Sequence, residues 1–228
     1  MFFSFGYNPY IAVIGDIKNS RKIGNRDGVQ EKLKKVLLDI NKKYSNDIAS
    51  KFTITLGDEF QGLLHDGENV MDIISEIERK MYPIKIRFGI GIGEITTVID
   101  SERAIGADGP GYYKAREAIE FLKQNEKKKQ SGKPDTRIES DGEKQGTVEL
   151  LNAILSLTAA VKRSWSDRQR QTVWDMLEHR DSQSDAAERL GIKQSSVQKN
   201  LANGNYYTYK EAMDTVKKTL SEIRRKNV

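Results

Sequence analysis

The sequence predicts an α+β protein. A ferredoxin-like or palm-type βαββαβ domain spans residues 1–145, and an all-α domain carrying a helix-turn-helix spans residues 146–228. Three observations predict this. Strand-like and helix-like patterns alternate through the first half in the order β-α-β-β-α-β, the order of a split βαβ sheet. The stretch Gln124–Gln145 then turns to Lys, Gln, Ser, Gly, Pro and Asp, which marks a loop or linker with a short strand near Thr136–Glu139. Beyond it, every apolar pattern has helical spacing.

The elements follow in order. Tyr10–Gly15 is a short apolar run rich in Ile and Val, a buried strand. In Val29–Tyr44 the residues Val29, Leu33, Val36, Leu37 and Ile40 mark one face of an amphipathic helix. Phe52, Ile54 and Leu56 alternate with polar residues through Ser50–Leu56, a half-buried strand. Gly57-Asp58-Glu59 is a turn, and Phe60–His65 returns as the second strand of a hairpin. Val70–Met81 is a helix, Ile84–Ile95 an alternating strand, and Tyr112–Lys123 a further helix. Gly89, Gly91 and Gly93 leave one face of their strand bare, which marks close approach of a ligand or of another backbone. In the last third, helices are expected at Val148–Ser164, from a Ser166/Asp167 cap to His179, at Ser184–Leu190, at Gln194–Leu201 and at Tyr209–Arg225.

Composition narrows the class. The chain has no cysteine, which excludes disulfides and thiolate metal sites and favours a reducing cytoplasm. No segment approaches the roughly 18 apolar residues of a membrane helix. Met1–Phe5 is apolar but lacks a basic start and a cleavage site, so no signal peptide is expected. The net charge of +5 permits nucleic-acid binding, and its distribution is more telling. Carboxylates cluster near glycine turns in Asp47–Asp108, while Lys and Arg dominate after Lys123.

Three acids fall at strand ends or turns: Asp16 directly after the first strand, and Asp58 with Glu59 in the hairpin turn. The first strand and the hairpin lie side by side in a split βαβ sheet, so Asp16 and Asp58 are expected to project into a common space. Two close carboxylates repel unless a cation sits between them. Mg²⁺ or Mn²⁺ held by one or two carboxylates and substrate phosphates is the arrangement expected there. The plainer alternative is a hairpin turn and a strand-end cap. Lys18 and Arg21 follow Asp16 and meet phosphate oxygens or are solvated loop charges.

Gly57-Asp58-Glu59-Phe60 resembles the GGDEF hairpin of diguanylate cyclases, with Leu56 in place of the first glycine. That departure argues against synthesis of cyclic di-GMP. The order strand-Asp, hairpin-Asp, glycine-rich strand also resembles the palm domains of class III nucleotide cyclases and of the archaeal GTP cyclohydrolase. The four segments IGDIKNSR, TLGDEFQGLL, RFGIGIGEI and GADGPGYYKAREAI, taken in order, resemble the SatD family, which pairs such a region with a C-terminal helix-turn-helix. The resemblance implies that Asp16 and Asp58 are metal ligands with Glu59 as acidic partner. It also implies that Gly57 keeps the turn open near a nucleotide, and that Lys114 and Arg116 contact phosphate unless they are exposed helix charges.

Ser184–Leu201 reads SDAAERLGIKQSSVQKNL. Small Ala186 and Ala187 suit a helix crossing, Gly191 a turn, and Val197 and Leu201 an inner face. Gln194, Ser195, Ser196, Gln198, Lys199 and Asn200 form a polar outer face of the kind that lies in a major groove, with Arg189 and Lys193 for phosphate. The stretch resembles the helix-turn-helix of sigma-factor region 4; a plain helical hairpin is the alternative. Trp165 and Trp174 are expected as core anchors, Tyr206, Tyr207 and Tyr209 as packing for the last helix, and His65 and His179 are given no role.

The expected function is a DNA-binding, transcription-regulating protein whose N-terminal domain binds a nucleotide with a divalent metal. It is expected to be cytoplasmic, with no membrane partner, and to bind paired half-sites as a possible homodimer. The alternative is an active metal-dependent nucleotide cyclase or hydrolase with a helical DNA-binding or dimerising tail. A third reading is a scaffold without a ligand. The sequence shows acids but no convincing base or nucleophile.

Overall fold

The structure is a computed structural model that describes residues 2, 3, 5–128, 132–142 and 145–224. The strands are β1 (Tyr10–Ile17), β2 (Ile48–Leu56), β3 (Glu59–Leu64), β4 (Ile86–Gly93) and β5 (Thr136–Ser140). Helices α1 (Arg26–Lys43), α2 (Val70–Met81) and α3 (Pro110–Lys127) fall between them. They are followed by α4 (Gln145–Ser164), α5 (Asp167–His179), α6 (Gln183–Leu190), α7 (Gln194–Asn203) and α8 (Tyr206–Leu220). The sheet order is β2-β3-β1-β4-β5. β3 separates β1 from β2, the pairs among β1–β4 are all antiparallel, and β5 adds in parallel to β4.

The two-residue repeat of the strands sets the layers. Ile11 and Val13 of β1, with Phe88, Ile90 and Ile92 of β4, join α1 and α2 in one core. Ala12 and Ile14 face Tyr112, Ala115 and Ile119 of α3 on the other side. The three strand glycines explain how α3 lies so close. A Cβ at Gly91 would overlap the carbonyl of Gly111, and one at Gly89 the carbonyl of Ala115. Of the two readings those glycines allowed, another backbone is the one the fold uses.

The expected helices form with shifted ends. Val70, Ile73, Ile74, Ile77 and Met81 are all buried, so α2 spans the predicted residues. Ser166 caps α5 in a reciprocal box with Gln169. α8 begins at Tyr206, three residues before the predicted start, because Tyr206 and Tyr209 are both buried in its first turns. Arg225, the predicted end of that helix, lies outside the described residues.

One hydrophobic cluster runs from the sheet into the helical region and holds Ile90 together with Trp165, Val173, Val197 and Leu220. The N-terminus ties the regions further. Phe3 is buried in the same cluster, and the Phe2 amide donates to Glu222 Oε2 at 2.8 Å.

Candidate functional site

The acids at the sheet end take their positions from strand register. Asp16 pairs across the ladder with Glu59 on one side and Arg87 on the other. Antiparallel partners share a face, so all three lie on the α3 side of the sheet. Glu59 is thus the residue opposite Asp16. Asp58, one position earlier, sits in the turn, where its carboxylate accepts the Ser20 hydroxyl and its carbonyl accepts the Ile17 amide at 3.0 Å. Asp16 and Asp58, expected to share a cation, have different partners within the chain: Asp16 faces Arg87 and Lys123, and Asp58 accepts from Ser20.

Asp16 already has its counter-charges. One oxygen accepts from Arg87 Nη1, and the other lies 3.2 Å from Lys123 Nζ of α3. The residue is 6% exposed, so those two cations face it with little water between. Among the described residues no group of three or more His, Cys, Asp or Glu side chains is placed to hold a metal ion. A resident Mg²⁺ or Mn²⁺ does not fit this donor set, because an ion would have to displace both Arg87 and Lys123 from Asp16. The two basic side chains supply the neutralisation that the sequence reading assigned to a metal.

The expected phosphate contacts are largely engaged as well. Lys18 lies 2.8 Å from both Glu126 and Asp135. Lys114 pairs with Glu117 at 2.8 Å, and Arg116, mostly exposed, reaches Glu59 at 3.6 Å. Gly57 adopts φ +54°, a left-handed turn position that glycine occupies without strain, and its carbonyl accepts from Gln30.

A chain of ion pairs extends from this end of the sheet. Arg87 bonds Glu126 at 2.6 Å; Lys18 joins Glu126 to Asp135; Lys162 of α4 lies 3.7 Å from Asp135 and 2.6 Å from Glu78 of α2. Burial works against each charge, but the partners outweigh it. Glu126 is held below the usual carboxylate range by Arg87 and Lys18, and Asp135 by Lys162 and Lys18. Lys162 is held above its ordinary value chiefly by Glu78. Nearby Tyr209 is pushed up to about 12, mainly by burial. Sequence reasoning missed Arg87, Lys123, Glu126, Asp135 and Lys162. For Arg87 a signal existed: it stands on the glycine face of its strand, the one long polar side chain among small residues.

The helix pair α6–α7 presents a different surface. Gly191 ends α6 at φ +63°, Ala186 and Ala187 are buried at the crossing, and Val197 and Leu201 are fully buried beneath α7. Lys193, Gln194, Ser195, Ser196, Gln198 and Lys199 are exposed. Two expected DNA contacts are engaged within the chain, Asn200 half-buried and Arg189 at the surface. Asn200 donates to Thr172 Oγ1 of α5 at 3.0 Å, and Arg189 is forked between Asp175 at 2.7 Å and Asp181 at 2.5 Å. Arg168 of α5, exposed, lines a hollow of about 460 Å³ together with Ser196 and Lys199.

No helix among the described residues is long and apolar enough to cross a membrane. A bacterial light-regulated adenylyl cyclase is 13% identical, with 64% of this chain and 79% of that one covered at a TM-score of 0.43. The dimeric guanylyl cyclase domain of the RhoGC fusion protein from the aquatic fungus Blastocladiella emersonii is 18% identical over 49% of this chain and 73% of its own, TM-score 0.38. A regulator of polyketide synthase expression from Bifidobacterium adolescentis is 13% identical over 96% of this chain and 85% of its own, TM-score 0.28. No curated protein matches the chain. The model of the SatD family matches residues 10–220, nearly the whole length, and the chain belongs to the SatD family.

Proposed function

We propose that this SatD protein is a DNA-binding, transcription-regulating protein whose sheet domain responds to a nucleotide. The reading divides the chain as the sequence does, into a palm-type, ferredoxin-like domain at 1–145 and a helix-turn-helix domain at 146–228. The observation that carries it is the surface of α7. Two lysines and four hydrogen-bonding side chains stand on its outer side, while Val197 and Leu201 anchor the inner one. Gln side chains at such positions read adenine edges, and Lys and Ser hold phosphates. Two copies of the chain on paired half-sites suit such a reader.

Metal-dependent turnover is not part of the proposal, because Asp16 is held by Arg87 and Lys123 and the donor set does not fit an ion. The nucleotide part rests on the SatD assignment and on the open glycine turn at Gly57.

Fluorescence anisotropy with the duplex upstream of the protein's own gene, beside a scrambled duplex, tests the DNA reading. The expected outcome is tighter binding to the upstream duplex, with affinity falling steeply as salt rises. Salt-insensitive binding, or none, sinks it. Incubation with Mg²⁺ and each nucleoside triphosphate checks turnover separately; a product whose formation stops in Asp58→Asn would favour the enzyme.

A further inference from the structure

A cleft of about 490 Å³ opens where the sheet end meets α4 and α5. Its acids are already satisfied: Glu78, Glu126 and Asp135 bind Lys162, Arg87 and Lys18. Its remaining cations are not. Lys85, Lys133, Arg163 and Arg170 line the cleft, and none forms an ion pair with a described residue. Arg163 donates to the Lys133 carbonyl and lies within electrostatic reach of Asp135, and Arg170 Nη2 donates to the Lys162 carbonyl at 2.9 Å. Arg170 Nε is buried with no hydrogen-bond partner. Four like charges around one concavity repel one another, so the arrangement favours a multivalent anion.

The cleft also has an aromatic wall. Tyr82 and Trp174 meet edge to face at 5.2 Å, and the Arg170 guanidinium stands 5.1 Å from one ring and 5.2 Å from the other. Tyr82 is 39% exposed, so a planar group has a surface to lie against. Pockets of about 300–1,000 Å³ hold small ligands. Arg and Lys recognise phosphate, and aromatic rings stack on bases.

We propose that this cleft binds a nucleotide, its phosphates on Lys85, Lys133 and Arg163 and its base against Tyr82 and Trp174. A ligand there touches both the sheet region and the α4–α5 region. The inference deepens the nucleotide part of the reading above and stands independently of DNA binding.

Titration calorimetry of the full chain in EDTA, with ATP, GTP and inorganic triphosphate as probes, tests it. The expected result is saturable nucleotide binding that is tighter than that of inorganic triphosphate. Lys85→Glu and Arg163→Glu, both at exposed positions, each weaken it on the order of tenfold. Trp174→Phe removes the accompanying change in tryptophan emission. The proposal is overturned by absence of saturable binding, or by unchanged affinity in both reversals. Equal affinity for triphosphate overturns it too, since the cleft is then a plain anion patch. Saturable binding that both reversals leave unchanged places the nucleotide outside the cleft while leaving the reading above intact.

Discussion

The cluster around Asp16 at the end of the sheet and the outer face of α7 are both rich in charge, yet they differ in whether those charges have partners within the chain. Asp16, Lys18, Arg87 and Glu126 are joined to one another or to α3 and β5-side groups at ion-pair distance. Lys193 and Lys199 stand exposed on α7 and form no ion pair with a described residue. Partnered charges hold elements in place. Unpartnered ones stay free for another molecule. The contrast can be broken at either end.

The largest effect is expected at Lys162. It is buried between Glu78 and Asp135, with side chains 11%, 25% and 21% exposed. Lys162→Met leaves Glu78 without its nearest cation, and removal of one member of such a pair costs about 3 kcal/mol. Thermal or denaturant unfolding measures this. Restoration of part of the loss by adding Glu78→Gln would show that the penalty is the orphaned charge. An unchanged midpoint would remove the claim that this chain of ion pairs holds the helical region to the sheet.

Next in size is the effect on DNA. Lys193→Ala with Lys199→Ala is expected to weaken binding about equally across sequences and to reduce the slope of log affinity against log salt by about two. Arg189→Ala is the opposite case. Its guanidinium is held well above its ordinary value by hydrogen bonds to Asp175 and Asp181. Its loss is expected to loosen α5 from α6 and lower the unfolding temperature, with the salt slope unchanged. A drop in slope for Arg189→Ala would move that residue to the unpartnered class.

A smaller, sharper test concerns metal. Mn²⁺ binding followed by electron paramagnetic resonance is expected to be weak in the wild type, because Lys123 lies 3.2 Å from Asp16. Lys123→Ala removes one competitor and is expected to strengthen Mn²⁺ binding several-fold. Tight binding in the wild type would restore the metal site that the sequence suggests.

Element type was legible because periodicity reports which side of an element is buried. α2 shows this, with its apolar residues recurring on one face. Strand register was not legible. The sequence places Asp58 and Glu59 side by side, and only the ladder Asp16↔Glu59 decides which of them lies across from Asp16. The same gap hid Arg87, whose pairing with Asp16 spans 71 positions. The helix face of α7 was readable, since Val197 and Leu201 fix its inner side. The bond from Asn200 to Thr172 was not legible, because Thr172 belongs to a different helix.

The smallest effect is expected in acid. Glu126 and Asp135 both titrate below their unfolded values of 4.5 and 3.8: burial opposes their charge, but Arg87, Lys18 and Lys162 outweigh it. The unfolded chain therefore takes up protons first as pH falls. The stability these carboxylates contribute is complete above about 4.5 and is lost as pH drops through their lower folded values. Unfolding followed by urea between neutral pH and pH ~3 shows it, and Asp135→Asn is expected to flatten part of that decline. If the variant keeps the full acid dependence, Asp135 is not held by Lys162 and Lys18, and the sheet end joins α7 as a surface whose charges remain free.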